Sequence, residues 1–491
     1  MDFHFLTPKD DDDQPLLVIA AQKDSTYDLS VPAQYSEEVT YYLSTIKFKA
    51  RFKEYALIVA KDGRKILVAG LGKTEESTQD HLRRVLGFLY KSAVKLELTE
   101  ELHFIYPSFL DTLALSISWE QLVTETCLLA SYQFSKAQNN EIIHVQKIGI
   151  EPSKGGNLND LKVGKILGES TCLARELINI PANELYPESL AAEAKRLSEE
   201  YGFTATVHDD LQCEKMGLKA LMSVGRAALN KPRLIVLEWN GGEKDEAPIA
   251  LLGKGVTYDT GGLSIKPTQS MTHMKSDMSG SAIALATMCS ISRLKVKKNL
   301  VVVIAACENS IDGNAFRPGD IIGSYNGKTI EIGNTDAEGR LTLADAATYA
   351  IREKKAAKII DIATLTGAVK VALGDHRAGV VTNQTELYNK LVASGVKADE
   401  FFWQLPIDDE YRDLNKSSVA DIKNIGRDGL AGTIAAACFI EAFTEGLPWM
   451  HIDIAGTSFF RKDHEYISLG GSARGMRSLH YLIESLFDIN L

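Results

Sequence analysis

The sequence predicts an α/β protein of two domains: a smaller N-terminal α/β domain and a larger C-terminal domain whose largely parallel or mixed central sheet is covered by helices. Three observations lead there. At 491 residues the chain exceeds the size at which one core usually stops growing. Apolar strand-like runs alternate with helix-like runs, the order that gives a sheet with both faces covered. The composition, 45% hydrophobic and 24% charged, is that of an ordinary folded chain.

In the first part, LLVIAA (16 to 21) and RKILVAGLG (64 to 72) read as strands, and TQDHLRRVLGFLYKSAVKL (78 to 96) carries the apolar repeat of a helix. GLG at 70 to 72 lacks the full dinucleotide-binding fingerprint and reads as packing. ELHFIYP (101 to 107), a helix-like region near 111 to 135 and EIIHVQKIGI (141 to 150) complete a domain over residues 1 to 150. The polar, glycine-containing stretch that follows is the best joint, so 151 to 170 is expected as a linker region. The second domain then spans 171 to 491. Pro187 opens a helix in NELYPESLAAEAKRL. RLIVLEW (233 to 239), APIALLG (247 to 253), NLVVVIAAC (299 to 307), AKIIDIAT (357 to 364) and WMHIDIAG (449 to 456) supply its strands.

Charge and cysteine usage narrow the function. A formal net charge of -11 gives no support to nucleic-acid or anionic-membrane binding, although a local basic patch survives such an average. The N-terminus lacks the positive start and apolar run of a secretory signal. No stretch approaches the roughly 20 apolar residues that span a bilayer. Six cysteines stand singly in apolar surroundings, which predicts buried free thiols in a reducing compartment, most simply the cytoplasm.

Two stretches carry candidate chemistry. GKGVTYDTGGLSIKPTQSMTHMKSDMSG (253 to 280) begins where a strand ends, the edge of an α/β sheet at which ligands usually bind. NTDAEGRL (334 to 341) sets Asp336, Glu338 and Arg340 on alternate positions, so all three share a face if the stretch is extended. Asp259, Asp277, Asp336 and Glu338 supply four carboxylates from three places, and hard divalent cations favour such oxygen ligands. Taken singly, each has a plainer explanation. Asp259 before two glycines suits a turn, Asp277 suits a helix cap, and Asp336 or Glu338 suits the cap of the helix that follows. Lys254, Lys266 and Arg340 could be surface or ion-pairing residues. Ten histidines are dispersed; His273, His376 and His451 are expected in structural roles, and no thiol has a readable base partner.

The stretches GKGVTYDTGGLSIKP, MKSDMSG, ENSIDGNAFRPGD and NTDAEGRL, in this order and spacing, resemble the leucyl aminopeptidases, the two-metal cytosol aminopeptidases. The likeness runs from about residue 170 to near the end. It implies a metal-dependent exopeptidase that removes an N-terminal leucine or other apolar residue from short peptides with a free amino terminus. By the same resemblance Lys254, Asp259, Asp277, Asp336 and Glu338 hold two metal ions, with zinc, manganese, magnesium or cobalt all acceptable to the donor set. Lys266 polarises the substrate carbonyl, and Arg340 with Leu365 of the ATLTG segment holds a bicarbonate that shuttles a proton. Met274, Lys266, Asp277 and Asn334 contact substrate, Met274 as a wall of the pocket for the first side chain.

The family is commonly a homohexamer, a dimer of trimers, and some members bind DNA or act on cysteinylglycine. A phosphoesterase, or a purely architectural DNA-binding protein, are the alternatives from other classes. SLGGSARGMRSL near the end departs from the regular family stretch and leaves that turn as an open expectation.

Overall fold

The fold is seen in a computed structural model, which describes residues 1–7, 14–23, 26–134 and 144–486. The chain divides into two compact units: Met1–Cys172 with Lys462–Leu469, and Leu173–Arg461 with Gly470–Leu491.

The first unit is a seven-stranded sheet. Along its main path run Asp2–Phe5, Lys147–Ile150, Glu101–Phe104, Leu16–Lys23, Lys65–Lys73 and Tyr55–Val59, with Thr26–Leu29 paired to Leu16–Lys23. All neighbours are parallel except the pairs that Tyr55–Val59 and Thr26–Leu29 make. Of EIIHVQKIGI, Lys147–Ile150 forms the strand, while 141 to 143 lie outside the described residues. The GLG glycines belong to strand packing. A side chain at Gly70 would meet the Arg51 carbonyl oxygen at 2.2 Å, so close backbone packing requires glycine there.

The joint expected over 151 to 170 is irregular only at its start, because the helix Leu158–Asn179 runs through the rest and across the change of unit. Leu167, Ala174 and Ile178 are buried at helical spacing, and this apolar stripe carries the helix back through the polar stretch that suggested a linker.

The second unit is built on an eight-stranded sheet. Its order is Phe401–Gln404, Arg377–Thr382, Trp449–Asp453, Lys358–Ala363, Ile249–Asp259, Asn299–Asn309, Arg233–Asn240 and Thr204–His208. The four strands from Trp449–Asp453 to Asn299–Asn309 are mutually parallel, and the two flanking pairs turn antiparallel. Ile249–Asp259 and Asn299–Asn309 are buried almost throughout, as strands covered on both faces must be. Helices Ser279–Arg293 and Gly339–Arg352 pack on this centre and are themselves buried over most of their length. The largely parallel, mixed sheet predicted from the alternation is therefore observed. Among the described residues no helix is long and apolar enough to cross a membrane.

Residues 462 to 469 are tied into the first unit by charge. The Glu465 carboxylate lies 2.6 Å from the Lys53 ammonium and 3.0 Å from Arg84. Burial alone would raise its pKa, but hydrogen bonds from Arg84 and Lys53 outweigh that and hold it at about 2. A depressed carboxylate stabilises the fold above its unfolded pKa and loses that contribution as pH falls through the folded value. Glu465→Gln is therefore expected to cost about 1–2 kcal/mol at neutral pH, the lysine and arginine being partly solvated. In urea titrations the gap between wild type and variant should close from about pH 4.5 toward pH 2. An unchanged gap across that range would show that the pair is not what anchors the segment.

Candidate functional site

The central strand Ile249–Asp259 carries two site residues, Lys254 within it and Asp259 as its last residue. Asp259 Oδ1 accepts from the Gly261 N–H at 2.8 Å, so the turn expected of this aspartate is present. The same oxygen accepts from Asn309 Nδ2 at 2.9 Å, while Oδ2 faces Lys266 Nζ at 2.8 Å. Gly261 and Gly262 sit at φ +84° and +64°, and a side chain on Gly261 would meet Asp336 Oδ1 at 2.8 Å. Glycine is required there both by the backbone and by the approach of the acidic loop.

Asp277 lies in the short turn Met274–Met278 that feeds the helix Ser279–Arg293. It is not the cap: Met278 holds that position, and Asp277 Oδ1 instead accepts from Thr364 Oγ1 at 2.9 Å. Lys254 Nζ reaches Asp277 Oδ2 at 2.7 Å and Glu338 Oε1 at 2.9 Å, and donates to the Thr364 carbonyl oxygen at 3.1 Å.

NTDAEGRL is not the extended wall that its alternation suggested. Residues 335 and 336 form a turn and Gly339–Arg352 is helix, so Asp336, Glu338 and Arg340 converge by a bend followed by a first helical turn. Glu338 stands at the cap position, yet its side chain makes no cap hydrogen bond. It turns toward Lys254, and Gly339 leaves the space: a side chain there would meet Lys254 Nζ at 2.7 Å. Asp336 Oδ1 pairs with Lys266. Besides Asn334, the loop is held by Asn424 and Thr335, neither of which carries a local signal. Asn424 donates to the Asn334 carbonyl oxygen at 2.7 Å and accepts from the Gly333 N–H at 2.7 Å. Asn334 Oδ1 accepts from the Asp336 N–H, and Thr335 Oγ1 donates to the Gly261 carbonyl oxygen at 2.7 Å.

Four carboxylates thus share one buried space with two lysines. Burial first, then Asp259 and Glu338, push Asp336 up to about 6, and burial with the same neighbours raises Asp277. Burial opposes charge on Lys254 and Lys266, but the carboxylates outweigh it and raise both, so each is an ammonium. Even so, Asp277 Oδ2 and Asp336 Oδ1, despite their ion-pair distances, and Glu338 Oε2 are buried without a hydrogen bond of acceptable geometry among the described residues. Ligand atoms of Asp259, Asp336 and Glu338 lie within 4.8 Å of one another. Hard oxygen donors left unsatisfied at this spacing fit divalent cations, and the donor set suits a two-metal cofactor site.

Beside this cluster, Arg340 is buried and donates to the Asn424 carbonyl oxygen at 2.8 Å, while its Nε has no partner. Burial lowers its pKa to about 10, which still leaves it cationic at neutral pH. The ATLTG segment is fixed by Asp453, which accepts from Leu365 N at 3.1 Å and from Thr366 Oγ1 at 2.6 Å. The Leu365 N–H is thus engaged, and among the described residues Arg340 Nε is a buried side-chain donor left without a hydrogen bond.

The other histidines behave as structural groups. His451 Nδ1 lies 2.5 Å from buried Asp361, His376 faces the Phe401 ring, and His273 faces Phe459. One convergence was hidden by separation in sequence: His4, Glu101 and His103 of the first unit also form a cluster of metal-ligand type. His103 Nε2 is 2.9 Å from Glu101, and Arg64 approaches its Nδ1 at 3.4 Å. Arginine can only donate, so the proton belongs on Nε2 toward Glu101, which makes this a hydrogen-bonded group rather than an open ligand set. The six cysteines are free, and burial pushes the Cys213, Cys289 and Cys438 thiols up to about 12, beyond use as nucleophiles.

A cavity of about 450 Å³ opens over the cluster, lined by Lys254, Asp259, Lys266, Met274, Asp277 and Asp336 among others. Two wider hollows on the first unit, of about 1010 and 1140 Å³, contain no buried charged side chain. Size alone does not locate the chemistry. Near the end of the unit, the departure SLGGSARGMRSL forms the short pairing of Gly470–Gly471 with Phe459–Phe460, where Asn179 Oδ1 accepts from Gly471 N at 2.9 Å.

Residues 172–480 match the catalytic domain of the Cytosol aminopeptidase family. A probable cytosol aminopeptidase of Clostridium perfringens is 41% identical over 91% of this chain and 93% of its own length. One from Aquifex aeolicus is 40% identical over 85% and 84% respectively. Among solved structures, the bottromycin maturation enzyme BotP in complex with Mn superposes with a TM-score of 0.84 at 27% identity, covering 96% of this chain and 99% of that one.

Asn424 offers a direct check on how the acidic loop is held. Replacing it with alanine strands the Gly333 N–H and the Asn334 carbonyl, each costing about 1–3 kcal/mol if left unsatisfied. Asn424→Ala is expected to lower the melting temperature and to increase hydrogen exchange selectively at 333 to 340. Exchange confined to other segments would contradict that placement.

Proposed function

Because the chain belongs to the cytosol aminopeptidase family, we propose that its site cleaves the first residue from short peptides, taking leucine or another apolar residue most readily. The chain is a metal-dependent aminopeptidase. The observation that carries the finer reading is the buried convergence of Lys254, Asp259, Asp277, Asp336 and Glu338, with carboxylate oxygens left for cations. Those five residues would hold two metal ions, which supply Lewis-acid charge and a water acidic enough to ionise near neutral pH. Manganese or zinc is the preferred assignment, with magnesium and cobalt compatible; the manganese of the BotP complex supports the first. Lys254 can act as a donor only as a neutral amine, so metal loading is coupled to loss of its proton.

The remaining roles follow from charge and position. Lys266 stays an ammonium among the carboxylates and borders the cavity, so it can donate to the scissile carbonyl oxygen and stabilise its growing negative charge. Arg340 is cationic and cannot take a proton, but its unpartnered Nε can hold a bicarbonate beside Leu365 and the ATLTG turn, and that anion can. Asp277 and Asn334 would orient the peptide, and Met274 would form an apolar wall that gains by removing a leucine-like side chain from water. The free amine of the substrate is a further donor to the acidic site, which accounts for cleavage at the first residue alone. Assembly as a dimer of trimers in the cytoplasm belongs to the same proposal.

Leu-p-nitroanilide and its N-acetyl counterpart separate this reading from other two-metal hydrolases. Metal-loaded protein is expected to cleave only the free amine. Lys266→Ala and Arg340→Ala should each lose about 10²–10³ in kcat, the size expected for one lost electrostatic contact to the reacting atoms. Equal cleavage of the acetylated compound, or no cleavage with any of the four metals, would sink the assignment.

A further inference from the structure

The cavity over the acidic cluster is also lined by basic residues. Lys370 and Arg461 border the same space of about 450 Å³ as Met274 and the acidic cluster. Lys370 lies in the short helix Gly367–Leu373 that follows the ATLTG turn, while Arg461 follows the Phe459–Phe460 strand. The two residues are 91 positions apart in sequence and meet only through the fold. Both are exposed, and among the described residues neither makes an ion pair or hydrogen bond.

His273 lines the same cavity and packs against the Phe459 ring, with centroids 5.2 Å apart. Burial first, then Arg461, Lys275 and Lys370, hold its pKa down. Lys275 is engaged by the Asn179 carbonyl oxygen, whereas Lys370 and Arg461 are left facing the opening. Two unpaired cations and a neutral imidazole lining one substrate cavity match a carboxylate, which accepts from several donors at once.

We propose that Lys370, Arg461 and His273 form a carboxylate-binding subsite within the substrate cavity. The carboxylate is carried by the peptide, either as the side chain of an acidic first residue or as the C-terminus of a dipeptide. The subsite rests on the aminopeptidase reading and narrows its substrates. It widens the preference beyond apolar first residues in one case, and favours the shortest peptides in the other.

The test uses the metal-loaded full chain and two pairs of substrates. Glu-p-nitroanilide against Leu-p-nitroanilide probes a first-residue carboxylate; Leu-Gly against Leu-Gly amide probes the C-terminus. In Lys370→Met, Arg461→Met and the double variant, the charged-to-neutral ratio of kcat/KM is expected to fall about tenfold or more in one pair, the loss of one or two charge-assisted hydrogen bonds. The wild-type ratio in that pair should also shrink with added salt, because both cations are solvated. A fall in the first pair assigns the side chain, and a fall in the second assigns the C-terminus. Ratios unmoved in both pairs, with neutral substrates still cleaved, would overturn the subsite alone. If the wild type cleaves no neutral substrate, the aminopeptidase reading and the subsite fall together.

Discussion

Repulsion among four carboxylates, three of them buried and Asp336 half-buried, is the constraint around which the second unit is arranged. Two such groups about 4 Å apart repel by about 4 kcal/mol even at an effective dielectric of about 20, and burial adds to the penalty. Asp259, Asp277, Asp336 and Glu338 are nonetheless brought together, with only Lys254 and Lys266 between them. A fold does not assemble this by packing alone. A strand end at Asp259 and two connections, 260–298 and 310–357, deliver the acids, and Asn309, Thr335, Thr364 and Asn424 hold their loops by hydrogen bonds. The unsatisfied oxygens that remain show that two ammonium groups do not complete the balance. Divalent cations do, which is why charge, geometry and family membership agree on metal-dependent aminopeptidase chemistry.

The same arrangement separates tasks that one charged cluster could otherwise confuse. Lys254 lies almost fully buried between Asp277 and Glu338, while Lys266 is more open and borders the cavity. Arg340 stands beyond them, held by Asn424 rather than by an acid, with one donor unspent. Asp453 fixes the ATLTG turn from beneath, so the corner that would hold an anion is built before any anion arrives. Such preorganisation needs a rigid support, and the fully covered central strands supply it.

Much of this was legible in sequence, and the failures have physical reasons. The long apolar runs at Ile249–Asp259 and Asn299–Asn309 revealed the buried centre, because a strand covered on both faces has no polar alternation. The short strands Arg377–Thr382 and Thr204–His208 passed unnoticed, being held by pairing with neighbours more than by any pattern of their own. Alternation in NTDAEGRL suggested an extended wall, but a turn and a helix start produce the same convergence through the backbone. The supporting residues Asn309, Asn424 and Asp453 left no local signal, since their partners lie far along the chain. His4 and His103 converge with Glu101 although nearly a hundred residues separate them, and Gly149 on the strand between pairs with both.

Anomalous diffraction from crystals grown with Mn2+ tests the central claim most directly. The account predicts two peaks enclosed by Asp259, Asp277, Asp336, Glu338 and Lys254, with the Lys266 ammonium drawn away from Asp336. Ion pairs unchanged from those described, with no peak among the four carboxylates, would contradict it: the lysines alone would then be the structural answer to the buried charge.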